Sequence, residues 1–159
     1  METLKNLNVG THLVIKTAEK VIKSEINLAK SEIIALATHY YDIDDLTAPI
    51  SSGSFKTDGM VVVPCSMKTL AGIATGYSSN LLLRAADVTI KEGRKLVLVP
   101  RETPLSIIHL LNMYKVAQTG AIILPAMPTF YHKPKSVDDL INHHIVGKIL
   151  DIFKEDGSR

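Results

Sequence analysis

The stretch Met60-Val-Val-Val-Pro-Cys-Ser-Met-Lys-Thr-Leu-Ala-Gly-Ile-Ala74 changes character at its middle. Its first half is a short, continuous apolar run rich in Val, the pattern of a parallel-sheet strand buried on both faces. Pro64 has no N–H to give to a ladder and is expected to end the strand. Residues 67–74 carry helix-forming residues with apolar spacing, and Ser66 stands where an N-cap is needed. The chain therefore leaves a buried strand and enters a helix at a compact polar turn. Free backbone N–H groups and the positive helix end face one point there, as in an anion site. Ser66, Lys68 and Thr69 add side-chain donors. An ordinary strand–helix turn with a capping Ser accounts for the same residues, so this segment alone leaves both readings open.

Outward from this turn, strands and helices alternate. Downstream, 78–91 reads as a helix ending near Gly93, and 95–99 (Lys-Leu-Val-Leu-Val) as a second buried strand stopped by Pro100. Thr103 as cap and Pro104 at the first helical position predict a helix to about Thr119, closed by Gly120. Residues 121–124 form a third apolar strand before Pro125, and 126–135 an aromatic, Pro-rich loop. Ser136 opens a final helix to about Phe153, with Asp138 and Asp139 in its first turn as the helix dipole favours. Upstream, 1–8 reads as the end of a helix with Gly10 as C-cap, 11–15 as a short strand, and 17–26 and 30–36 as helices. Residues 39–45 are polar, and 50–55, with Ser-Ser-Gly-Ser, form a loop before the central strand. No repeat or linker divides the chain, so 1–159 is expected to be one domain. The alternation means an α/β protein whose parallel sheet is covered by helices on both faces.

Composition narrows the function. With 159 residues, 46% of them hydrophobic and 21% charged, the chain suits one well-filled core. A net charge of +2, three Phe and no Trp give no basic, aromatic surface for nucleic acid. No apolar run reaches membrane-span length and no leader-like segment opens the chain, so no membrane partner is expected. The single cysteine, Cys65, excludes an internal disulfide framework and suits a reducing cytoplasm. Cys65 sits before a helix start, where a thiol pKa falls, yet a small buried apolar role suits it better because no His is placed with it. No metal site is expected from the six His. His143 and His144 are adjacent and cannot both face one ion from a helix, and His132 reads as a surface or interface residue.

In parallel α/β sheets ligands bind beyond the carboxyl ends of the strands. Three strands here end at Pro64, Pro100 or Pro125 and polar residues follow. Those loops are expected to gather Ser66, Lys68, Thr69, Arg101, Glu102 and Tyr131 on one edge. Two cations, two hydroxyls and helix N-termini together point to a phosphorylated ligand.

Six ordered motifs then resemble a known family: Ser51-Ser-Gly-Ser-Phe55, Pro64-Cys-Ser-Met-Lys-Thr69, Arg84-Ala-Ala-Asp-Val88, Lys91-Glu92, Pro100-Arg-Glu-Thr-Pro-Leu105 and Phe130-Tyr-His132. They are similar to the UbiX (Pad-type) flavin prenyltransferases, long described as aromatic-acid decarboxylases, over about residues 11–153. The resemblance implies a three-layer α/β/α flavodoxin-like (Rossmann-like) fold assembled as a dodecamer, with active sites built from several subunits. It implies a metal-independent transfer of a dimethylallyl group from dimethylallyl monophosphate to N5 of reduced FMN, closed through C6 into a fourth ring. The product serves a partner decarboxylase of the UbiD type.

Position by position, Ser66, Met67, Lys68 and Thr69 match the family's FMN loop, and Arg101 matches a further FMN contact. Tyr131 matches a residue that holds the prenyl phosphate. Lys91, Arg101 and Glu102 match the polar cluster around that phosphate and the reacting flavin edge, Arg84 a further basic position, and Glu25 a carboxylate after the second helix. Lys148 falls where the family has a late Arg, with one extra residue within 142–146. The types make chemical sense. A leaving phosphate needs cations and a phenol donor, and ring closure needs a proton acceptor such as Glu102 or the released phosphate. Taken without the resemblance, Glu102 reads as an ion-pair partner of Arg101 and Lys91 as a solvated helix end. The family's opening strand and Gly-Ala-Ser-Gly loop have no counterpart here, and Ile15-Lys16-Thr17 replaces its Ser or Thr after the second strand. Two alternatives follow: an FMN-binding decarboxylase of the peptidyl-cysteine type, which carries Pro-Ala-Ser-Ala-Asn-Thr in place of 64–69, and a non-catalytic, truncated flavin-binding subunit.

Overall fold

The computed structural model describes residues 1–16, 22 and 28–154. Helix α1 spans Glu2–Asn6, and Asn8 turns the chain out of it at φ 54°. Asn tolerates the left-handed region better than most residues, so the turn is made two residues before the expected Gly10. Strand β1 (His12–Val14) is followed, beyond the undescribed segment that holds most of the expected 17–26 helix, by α2 (Lys30–Ile34) and β2 (His39–Tyr41). β2 falls in the stretch read from sequence only as polar. Its three residues are too few to show alternation, but Tyr40 and Tyr41 are strand formers, and β2 pairs with β1 in parallel, His39 opposite His12.

A 3₁₀ turn, Pro49–Ser51, leads to β3 (Gly59–Cys65), α3 (Met67–Thr75), α4 (Leu81–Lys91), β4 (Lys95–Pro100), α5 (Ile107–Ala117) and β5 (Ile122–Ile123). The strands form a three-stranded parallel sheet in the order β3-β4-β5. Pro64 does not end β3. The register shifts between Val62 and Cys65, and pairing resumes with Cys65 opposite Pro100. An irregularity of this kind lets a strand carry a Pro without losing the ladder. The cap of α5 also moves: Ser106 Oγ accepts from the His109 N–H at 3.3 Å, and His109 Nδ1 accepts from the Ser106 N–H at 3.2 Å. This reciprocal box satisfies two orphan donors, where Thr103 as cap satisfies one.

Helix α3 ends in a left-handed Gly76 (φ 68°), and Tyr77 N–H reaches back to the Gly72 carbonyl at 2.9 Å. The last helix is opened by Ser136, whose Oγ accepts from the Asp139 N–H at 3.0 Å. It is not uniform. An α segment (α6, Val137–Ile141) widens into a π turn over Asn142–Gly147 and narrows again to α7 (Lys148–Lys154). A π turn is how a helix absorbs an inserted residue without changing its ends, and this one covers the 142–146 stretch where one extra residue was expected.

β4 is the centre of the core. Its side chains alternate between faces: Leu96 and Leu98 pack with Leu70, Ile73, Leu83 and Val116, while Val97 and Val99 pack with Ile152. Helices α3, α4 and α5 therefore cover one face and α7 the other, the three-layer α/β/α arrangement. β3 is less enclosed than a strand buried on both faces, with Val63 57% exposed. Among the described residues no helix is long and apolar enough to cross a membrane.

Candidate functional site

Ser66 sits between β3 and α3, and its Oγ accepts from the Thr69 N–H at 3.3 Å and lies 3.1 Å from Thr69 Oγ1. The amides of Met67 and Lys68, the first two helical residues, have no helical carbonyl within reach. They and the helix dipole favour negative charge in front of Ser66. The Met67 side chain packs on the core, so its contribution to this turn is its backbone.

Lys16, just beyond β1, reaches across and donates from Nζ to Thr69 Oγ1 at 2.8 Å. Burial, then the neighbouring charge of Lys68, hold the Lys16 pKa below the ordinary lysine value. Two ammonium groups held close together gain from an anion between them. Lys16 was not among the residues expected at the site. It is the first cation after a short apolar strand, the same design as the other strand ends, but no Pro marks its strand end.

Loop 101–106 leaves the neighbouring strand β4 on the same edge, and Arg101 N–H donates to the Cys65 carbonyl at 3.3 Å. Arg101 thus starts beside Ser66. Glu102 is exposed, and its Oε1 accepts from the Thr103 N–H at 3.1 Å rather than pairing with Arg101. The Cys65 thiol beneath this turn is fully buried and pushed up to about 11, chiefly by desolvation, so it is a packed thiol and not a nucleophile at neutral pH.

Arg84 and Lys91 lie elsewhere. α4 runs antiparallel to the strands, so its last residue, Lys91, is at the amino edge, near the Gly59–Lys95 pair that begins β3 and β4. A six-residue strand such as β4 is roughly 20 Å long, which separates Lys91 from Arg101. Lys91 Nζ pairs with Glu92 Oε1 at 3.0 Å, and this contact holds the Glu92 carboxyl below its usual value. Arg84 Nη1 pairs with Asp87 Oδ2 at 2.9 Å and its Nε donates to the Ser51 carbonyl at 3.1 Å. Arg94, not singled out from sequence, donates to the carbonyls of Phe55 (2.8 Å) and Gly53 (2.6 Å). The Ser-Ser-Gly-Ser loop is thus held by α4 and the start of β4.

Tyr131 is exposed in the loop after β5, its ring edge-on to His132 and to His144 at 5.8 and 5.7 Å between centroids. Lys148 is the exposed first residue of α7. Glu25 lies outside the described residues. His143 and His144 do come together around one point. A π turn winds less per residue than the about 100° of an α-helix, and His132 lies against both rings, at 4.4 Å from His143 and 4.6 Å from His144. The reasoning that adjacent helical His cannot share a target does not hold here.

A family model described as Flavoprotein matches residues 2–150. The chain is 49% identical over 158 residues to the flavin prenyltransferase UbiX of Methanocaldococcus jannaschii, covering 99% of this chain and 85% of that protein. Among solved structures, AnUbiX (PadA1) in complex with FMN and dimethylallyl pyrophosphate superposes with a TM-score of 0.93 at 54% identity, over 96% of this chain and 81% of that one. The dodecameric FMN-dependent UbiX-like decarboxylase of Escherichia coli O157:H7 gives a TM-score of 0.92 at 52% identity, over 96% and 84%.

Proposed function

The chain belongs to the flavoprotein family and, within it, to the UbiX-type flavin prenyltransferases, and on that premise we propose that it transfers a dimethylallyl group from dimethylallyl monophosphate to reduced FMN. The observation that carries the reading is the cluster of Lys16, Ser66 and Thr69, joined by hydrogen bonds at the start of α3. Two hydroxyls, an ammonium, the Lys68 charge and two free amides suit a doubly charged terminal phosphate such as that of FMN. Bound reduced FMN would supply the nucleophile for the dimethylallyl carbon, while the C–O bond to phosphate breaks and phosphate leaves.

The protein's share is electrostatic and positional. Arg101, anchored beside Ser66 through its own N–H, serves both phosphates. Tyr131 donates its phenol proton to the departing phosphate, and Lys148 adds charge there without the two-pronged geometry of an Arg. Glu102 takes the ring proton, directly or through the released phosphate. Lys91 and Arg84, at or toward the other edge of the sheet, complete a site in a neighbouring copy rather than their own. Glu25 is proposed as the remaining carboxylate on the family match alone.

That division of residues favours a homo-oligomer, with the dodecamer as its form. Four apolar side chains of α5, Ile107, Ile108, Leu111 and Tyr114, are each more than half exposed and offer a contact surface. We take residues 1–159 as one domain working in the cytoplasm, where a single buried thiol needs no partner, with a UbiD-type decarboxylase receiving the prenylated flavin. Identity of about one half to flavin prenyltransferases outranks the peptidyl-cysteine decarboxylase reading.

The deciding experiment is anaerobic incubation with reduced FMN and dimethylallyl monophosphate, followed by mass spectrometry of the flavin. A five-carbon adduct is expected. Tight FMN binding with no adduct from the monophosphate or the pyrophosphate removes the transferase reading and leaves a flavin-binding subunit.

A further inference from the structure

We propose that His132, His143 and His144 form a binding site for a divalent transition-metal ion of the zinc class, tying the 126–135 loop to the last helix. Three observations carry this. One imidazole-nitrogen ligand atom from each residue lies within 4.8 Å of the other two. A tetrahedral ion with bonds of about 2.0–2.1 Å needs ligand nitrogens roughly 3.3 Å apart. His132 Nδ1 and His144 Nε2 are already 3.1 Å apart, so the main movement required is a side-chain rotation of exposed His143.

The second observation is an orphan. His132 Nε2 is buried and has no hydrogen-bond partner. The hydrogen bonding of this ring therefore runs through Nδ1 alone, the nitrogen that faces His144 and would bind the ion. The third is the surrounding support. Thr129 Oγ1 lies 3.4 Å from His144 Nδ1, the ring nitrogen left over when Nε2 ligates, and a contact there fixes the orientation of a ligating imidazole. An open cavity of about 490 Å³ borders the cluster, lined by His132, His143, Asn142 and Asp139 among others. It leaves room for a water as fourth ligand, with a carboxylate nearby against the ion's charge. Three imidazoles with no thiolate suit Zn²⁺, Cu²⁺ or Ni²⁺ rather than Mg²⁺ or Ca²⁺. The π turn is the enabling feature, because it lets two consecutive residues of one helix serve one ion.

The test uses the assembled full-length protein, stripped with a chelator and then titrated calorimetrically with Zn²⁺. One ion per chain is expected, with a rise in melting temperature that grows with free Zn²⁺. Co²⁺ in its place is expected to give the absorption bands of a nitrogen-ligated ion, with no thiolate charge-transfer band. His143→Ala touches an exposed side chain and should leave FMN affinity unchanged, which serves as the check on folding. It should weaken Zn²⁺ by at least the roughly 10–100-fold that even outer-sphere substitutions cost. His39→Ala, in the other histidine pair, should leave Zn²⁺ affinity alone. Zn²⁺ binding that survives His143→Ala combined with His144→Ala, that is lost in His39→Ala, or that needs millimolar metal in the parent protein overturns the proposal.

Discussion

Lys16 Nζ donates to Thr69 Oγ1 at 2.8 Å, and by doing so joins the ends of β1 and β3, which share no backbone hydrogen bond among the described residues. The bond closes the Ser66 turn from a second strand. Lys16→Met is expected to weaken FMN by about 1.5–3 kcal/mol, the scale of a hydrogen bond to a charged group. Ser66→Ala with Thr69→Ala should cost roughly 1–3 kcal/mol. Only the Lys16 change should reduce the salt dependence of binding, because it alone removes a charge. Flavin-fluorescence titrations at two ionic strengths measure both, and equal salt dependence in the two variants would contradict the assignment.

Three substitutions separate the two phosphates from the proton step. Tyr131→Phe should raise KM for dimethylallyl monophosphate and spare FMN affinity, since the phenol lies in the loop after β5 and not in the Ser66 turn. Arg101→Ala should weaken both ligands. Glu102→Gln should keep both and lower kcat, because only proton transfer is touched. Steady-state kinetics beside FMN titrations make the comparison. Loss of FMN affinity in Tyr131→Phe would place that residue at the wrong phosphate.

Cys65 gives a prediction about alkaline stability. Its folded pKa is raised from 9.0 to about 11, so the unfolded chain loses this proton first. The thiol's contribution is fully present below about pH 9 and declines as pH rises toward 11, by on the order of 2–3 kcal/mol. Cys65→Ala lowers stability at neutral pH through lost packing but should show a shallower decline over this window. Denaturant melts at about pH 8, below the window, and at about pH 9, 10 and 11 across it give the slopes. Parallel slopes would mean the thiol is not desolvated.

Assembly can be tested through the site itself. If Lys91 of one copy serves Arg101 of another, Lys91→Ala chains and Arg101→Ala chains should each be inactive alone. Refolded together they should recover part of the activity, since some mixed sites then hold both native residues. Ile108→Glu with Leu111→Glu should break the α5 contact and shift sedimentation to smaller species. Mixtures with no recovered activity, despite shared oligomers, would place Lys91 outside the site.

Much of the candidate site was legible because it lies on local signals. A Val run, a capping Ser and helix spacing place Ser66, Lys68 and Thr69 with no knowledge of the rest of the chain, and Ser66 caps α3 as read. Lys16 was not legible, since it is 53 residues from Thr69 and nothing local marks it as a partner. The same limit hid β2, whose three residues become a strand only because β1 lies beside them.

The sequence by itself determined the alternation of strands and helices, the buried β4 and the capping Ser66 after β3. These depend on side-chain period, caps and turn residues within one or two turns of each position. The tertiary structure decided which ends meet. It put Lys16 on Thr69, left Lys91 roughly a strand length from Arg101, and through one π turn brought His143 and His144 onto His132. Contacts between residues far apart in the chain are fixed by how layers pack and which way each helix runs, and no local propensity encodes that.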